Sequence, residues 1–68
     1  MEVRIETDFI KLDALLKFAG AVMSGGEAKT VIAEGLVRVN GEPCLMRGKK
    51  IYPGDAVELD GEAYTVVR

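Results

Sequence analysis

Apolar and polar residues alternate from the first positions of the chain. Val3 and Ile5, with Thr7 continuing the series, are interleaved with Glu2, Arg4 and Glu6. A period of two with one charged face predicts a half-buried strand. The period then lengthens. Leu12, Leu15, Leu16 and Ala19 fall at i, i+3, i+4 and i+7, which places them on one stripe of a helix. Gly20 suits the left-handed stop after that helix. The start has two readings: Asp8 caps the helix, or Phe9 and Ile10 are extended and the helix begins near Lys11. Phe18, within the same segment, is expected in the core.

A second helix is marked by its ends. Ser24 and Glu27 form a capping box, in which the serine accepts from the backbone three residues on and the glutamate reaches back to the cap. The helix is predicted over 25–34, with Ala28, Val31 and Ile32 facing inward and Gly35 ending it. Gly25 and Gly26 in the first turn cost helix stability, and leave the first N–H groups open to close approach. A tight entry after Met23 and Ser24 explains them equally well.

Short strands follow. Residues 36–39 read as a strand, Asn40-Gly41 as a hairpin turn, and 42–45 as the return, which Pro43 confines to an edge. Residues 46–50 form an exposed basic loop, and Tyr52-Pro53-Gly54-Asp55 a turn. Residues 56–59 and 63–67 make a last hairpin around Asp60-Gly61. The order predicts an α+β fold: two packed helices against a small, twisted, mostly antiparallel sheet of short strands, as one domain over 1–68.

Composition narrows the function. With 68 residues the chain buries a marginal core, about 60% of the surface its unfolded form exposes. That leaves little room for a walled catalytic cleft. There is no histidine, the commonest general base and metal ligand. The single cysteine, Cys44, makes neither an internal disulfide nor a cysteine-rich zinc site, and reads as a half-buried small apolar residue. The charged, alternating N-terminus is not a signal peptide, and no apolar run approaches the roughly 18 residues of a membrane span. The expectation is a soluble cytoplasmic protein with no membrane contact, no cofactor and no catalysis.

The formal net charge of −2 argues at first against a polyanionic partner, but it is unevenly spread. Residues 1–10 carry Glu2, Glu6 and Asp8 against Arg4, a net of −2. Residues 11–50 carry Lys11, Lys17, Lys29, Arg38, Arg47, Lys49 and Lys50 against Asp13, Glu27, Glu34 and Glu42, a net of +3. Residues 51–68 return to −3. Local charges within about a Debye length, ~8 Å at physiological salt, set the potential a ligand meets. A basic middle can therefore bind a polyanion, although seven basic residues in forty are also ordinary for a solvated surface.

Several segments of the middle, in order, resemble a known module. They are Lys11-Leu12-Asp13-Ala14-Leu15-Leu16, then Ser24 with Glu27-Ala28-Lys29, Val31-Ile32 and Gly35, then Val37-Arg38-Val39-Asn40-Gly41 and Pro53-Gly54-Asp55-Ala56-Val57. Together they resemble the S-four RNA-binding domain, also called the alpha-L motif, with a motif core of about 11–59. The Gly25-Gly26 pair and the loop Arg47-Gly48-Lys49-Lys50 are similar to those of small stand-alone bacterial proteins built of this domain. The resemblance implies a non-catalytic protein that binds structured RNA, usually ribosomal RNA, in ribosome assembly or translation. Ribosomal proteins or an RNA-modifying enzyme are further implied partners. It places Lys11, Ser24 and Lys29 on the helix face and Arg38 and Asn40 on the hairpin. Gly25 stands where an arginine is usual after the serine, and Lys11 where arginine is usual. Because lysine is a point charge and glycine offers only its backbone N–H, contacts are expected to shift to Arg47, Lys49 and Lys50.

From the residues themselves, Gly25 and Gly26 N–H groups form a phosphate seat at the second helix, with Lys29 one turn in. Of the aromatics, Tyr52 beside the basic loop is the candidate to touch a base or sugar. A different class is a ubiquitin-like sulfur carrier, which shares segments similar to Asn40-Gly41-Glu42 and 54–58. Such carriers need a C-terminal Gly-Gly, whereas this chain ends Val66-Val67-Arg68.

Overall fold

The computed structural model describes all 68 residues. Seven strands and two helices follow in the order β1 (Glu2–Arg4), β2 (Ile10–Lys11), α1 (Leu12–Phe18), α2 (Gly25–Ala33), β3 (Arg38–Val39), β4 (Glu42–Pro43), β5 (Lys50–Ile51), β6 (Ala56–Leu59) and β7 (Glu62–Val67). The main sheet has the order β1-β7-β6-β3-β4. Its pairs are antiparallel except β1 with β7, which run parallel with Val3 opposite Val66. The α+β architecture expected of the sequence is therefore present.

Helices of seven and nine residues are too short to persist alone in water. Packing holds them. α1 and α2 lie against each other, and Leu12, Leu15 and Leu16 of α1 share one core with Ala28 and Ile32 of α2. Val3, Val37, Val57 and Val66 complete that core from the main sheet side of the chain, and no polar or charged side chain is buried in it. Asn40 and Asp60 both take positive φ, each followed by a glycine at positive φ, so both hairpins turn with the type I′ residue pattern.

Three expectations need correction, and one open reading is decided. Phe18 is 64% exposed. It lies roughly a quarter turn round the helix from the Leu12–Leu15–Leu16 stripe, and seven residues offer no second buried face. Of the two readings of the α1 start, the second holds: Ile10 is extended, Lys11 is the N-cap residue, and Asp8 accepts from Arg68 at 3.2 Å instead. Glu27 closes its capping box one residue early, accepting from the Met23 N–H at 2.7 Å rather than from the cap itself. Finally, Lys50 is not part of the loop expected over 46–50, because residues 50–51 are a strand. They form β5 and pair with β2 in a separate two-stranded ladder.

Candidate nucleic-acid interface

The basic loop is fixed by its backbone. Lys11 offers no side-chain cap to α1. The orphan donors at that end go instead to the loop: the Leu12 N–H donates to the Lys49 carbonyl at 2.9 Å and the Asp13 N–H to the Arg47 carbonyl at 3.0 Å. The Lys49 N–H closes a turn on the Met46 carbonyl at 3.1 Å. Main chain alone makes these bonds, so the side chains of Arg47, Lys49 and Lys50 stay exposed on a positioned loop.

The β2–β5 ladder brings Lys11 into the same cluster. Ile10 opposes Ile51, and Lys11 opposes Lys50. Alternation along a strand sends neighbours to opposite faces. The inner face holds Ile51, fully buried, with Ile10 packed against the core. The outer face holds the two lysines, and beside them Phe9 and Tyr52, whose ring centroids are 5.9 Å apart at an interplanar angle of 48°. The Lys50 ammonium sits over the Phe9 ring, 4.9 Å from its centroid. Such a contact at a surface is worth about 0.5–1 kcal/mol. Like charges directly opposite each other are destabilising, and cations at a helix N-terminus oppose its dipole. Lys11, Arg47, Lys49 and Lys50 thus gather where the isolated fold disfavours positive charge.

A second cluster lies at the start of α2, which follows the C-terminal end of α1. Ser24 accepts from the Glu27 N–H at 3.1 Å, as its position predicts. Lys29 is exposed one turn further on. The glycines sort in an informative way. Gly20, Gly35, Gly41, Gly54 and Gly61 have positive φ, which requires glycine or strongly favours it. Gly25, Gly26 and Gly48 do not. A Cβ at Gly25 or Gly48 meets nothing within 4 Å, and one at Gly26 meets only the Ser24 hydroxyl at 3.9 Å. The fold does not need glycine at these three positions; Gly48 lies in the basic loop, and Gly25 and Gly26 in the first turn of α2 ahead of Lys29.

Arg38 and Asn40 lie on the β3–β4 hairpin. Arg38 opposes Glu58 across the sheet and donates to the Gly41 carbonyl at 3.2 Å. The Asn40 amide is taken up by the fold: Nδ2 donates to the Asp55 carboxylate at 3.1 Å, and Oδ1 accepts from the Ala56 N–H at 2.9 Å. The other Asp55 oxygen accepts from the Tyr52 N–H at 2.8 Å. The hairpin and the Pro-Gly-Asp turn, which suggested a sulfur carrier, are two halves of one hydrogen-bonded support.

A single ion pair joins side chains in the whole chain, between Arg68 and Asp8. Lys11, Lys17, Lys29, Arg47, Lys49 and Lys50 have no carboxylate within ion-pair distance. Phe9 is the functional candidate that sequence reasoning passed over. Its signal is weak, because it becomes a neighbour of Tyr52 only once β2 meets β5.

This arrangement defines a class: a small α+β module that presents cations without carboxylate partners on a loop held by backbone hydrogen bonds. Residues 3–67 match the S4 domain model, and the chain belongs to that family of RNA-binding domains. Over 59 residues it is 46% identical to "Probable ribosome maturation protein RlbA" of Bacillus subtilis, an alignment covering 87% of this chain and 83% of that protein. Over 58 residues it is 40% identical to "Putative RNA-binding protein YbcJ" of Escherichia coli, covering 85% of this chain and 83% of its relative. No helix is long and apolar enough to cross a membrane.

Proposed function

We propose that this protein binds folded ribosomal RNA through phosphate contacts, without catalysis, and acts in ribosome assembly. The observation that carries this reading is the set of carboxylate-free cations Lys11, Arg47, Lys49 and Lys50 around a loop latched to α1. The printed name of the Bacillus subtilis relative supports the link to ribosome maturation. Folded RNA offers a shallow minor groove lined by phosphates and 2′-hydroxyls, and is recognised largely by shape. A rigid loop of two lysines and an arginine suits that surface. Gly25, Gly26 and Lys29 supply a second phosphate contact at α2, where backbone N–H groups and the helix dipole favour an anion. Arg38 is a weaker candidate and Asn40 a supporting one, since its amide already holds the Asp55 turn.

With about four phosphates engaged, the logarithm of affinity falls against the logarithm of salt with a slope of roughly −3. Filter binding to ribosomal RNA fragments across a salt series measures it. The triple variant Arg47→Ala, Lys49→Ala, Lys50→Ala weakens binding and flattens the slope while its circular dichroism stays native. Affinity indifferent to salt, or to the triple change, would sink the assignment.

A further inference from the structure

We infer that Tyr52, propped by Phe9 and flanked by Lys50 and Lys11, is a stacking seat for one unpaired nucleobase. The inference deepens the RNA-binding reading and rests on it: the preferred RNA is a duplex interrupted or ended by unpaired nucleotides, not a continuous helix.

The seat is built by the β2–β5 ladder. With the isoleucines turned to the core, its outer face presents an aromatic pair beside a lysine pair. Tyr52 is 47% exposed, a high value for a tyrosine already packed against another ring. Its backbone is held on both sides: the N–H donates to the Asp55 carboxylate at 2.8 Å, and the carbonyl accepts from the Asp55 N–H at 2.9 Å. An aromatic ring on a fixed backbone loses little conformational freedom on binding. Every base has a face that stacks on such a ring, so the contact tolerates any sequence. The charges agree with this ligand. A base stacked on Tyr52 brings its own phosphate beside Lys50 and Lys11, and one anion relieves the repulsion between two lysines that the ladder sets directly opposite each other. A base paired inside a continuous duplex has no free face, so it cannot use the ring.

Two RNAs test this, a blunt duplex and the same duplex with a single bulged adenosine. The wild-type protein binds the bulged RNA more tightly. Tyr52→Ala weakens bulged binding about tenfold and leaves blunt binding unchanged, while Tyr52→Phe keeps the preference. A direct readout is available because the chain has no tryptophan and only two tyrosines. In the Tyr64→Phe background Tyr52 is the sole emitter, and bulged RNA quenches it more than blunt RNA does. Equal affinity for the two RNAs, or equal loss on both in Tyr52→Ala, overturns the seat and leaves phosphate-led binding intact. Binding to neither RNA at low salt overturns both.

Discussion

At the scale of single residues, Asn40 shows how a polar side chain on the surface comes to be structural. Its φ of 52° lies in the left-handed region, which asparagine tolerates better than most residues. Its amide spends both ends on the turn opposite, donating to Asp55 and accepting from Ala56. Asn40→Ala loses both bonds and keeps the unfavourable φ, and is expected to lower stability by about 2–3 kcal/mol in urea denaturation. Asn40→Gly relieves the φ and recovers part of that loss. If instead Asn40→Ala keeps full stability and only RNA affinity drops, the residue is a contact and not a support. The two turns themselves are legible in the sequence, because Asn-Gly and Pro-Gly-Asp are local signals. Their union is not, since 15 positions separate Asn40 from Asp55. Phe18 lies outside the core for a related reason. Hydrophobicity says that a residue can be buried, while only the number of neighbouring elements says whether a second face is covered.

At the scale of elements, α2 and the small ladder set the terms of binding. Gly26 sits in the first turn of α2, where a Cβ meets only the Ser24 hydroxyl at ordinary contact distance and no special φ is required. Gly26→Ala is expected to raise stability by a few tenths of a kcal/mol, since glycine costs about 1 kcal/mol in a helix interior and less near an end. The same change puts a methyl group beside the N–H donors and weakens RNA binding. Thermal melting and filter binding on one preparation check both signs. A gain in stability with no loss of affinity would return the glycines to a merely local role. Ser24 and Glu27 made the start of this helix readable from four letters of sequence. The β2–β5 ladder gave no such signal. Each strand is two residues long, below any detectable period, and the loop carbonyls that cap α1 leave no mark on residue type. The basic residues were visible; the partnership of Lys11 with Lys50, and of Phe9 with Tyr52, belongs to tertiary structure.

At the scale of the whole molecule, the charge is separated along the chain more than its total of −2 conveys. The extents are 28 × 22 × 19 Å, more than twice the ~8 Å over which salt screens a charge. The cations of the Lys11–Lys50 cluster form no ion pair with any carboxylate of the chain. The arrangement favours docking by one face and limits loose attachment elsewhere. The sheet carries a separate consequence, for the order of events during synthesis. β7, made some sixty residues after β1, lies between β6 and β1. The Ile5 N–H bonds to the Val67 carbonyl and the Thr65 N–H to the Met1 carbonyl. Until residues 62–67 leave the exit tunnel, β1 has no partner and β6 lacks one of its two neighbours. Removing residues 62–68 is expected to leave a chain without a cooperative melting transition. The sheet thus closes only when the two ends of the segment 1–67 have met, and its β1 edge is the last part of it to find a partner.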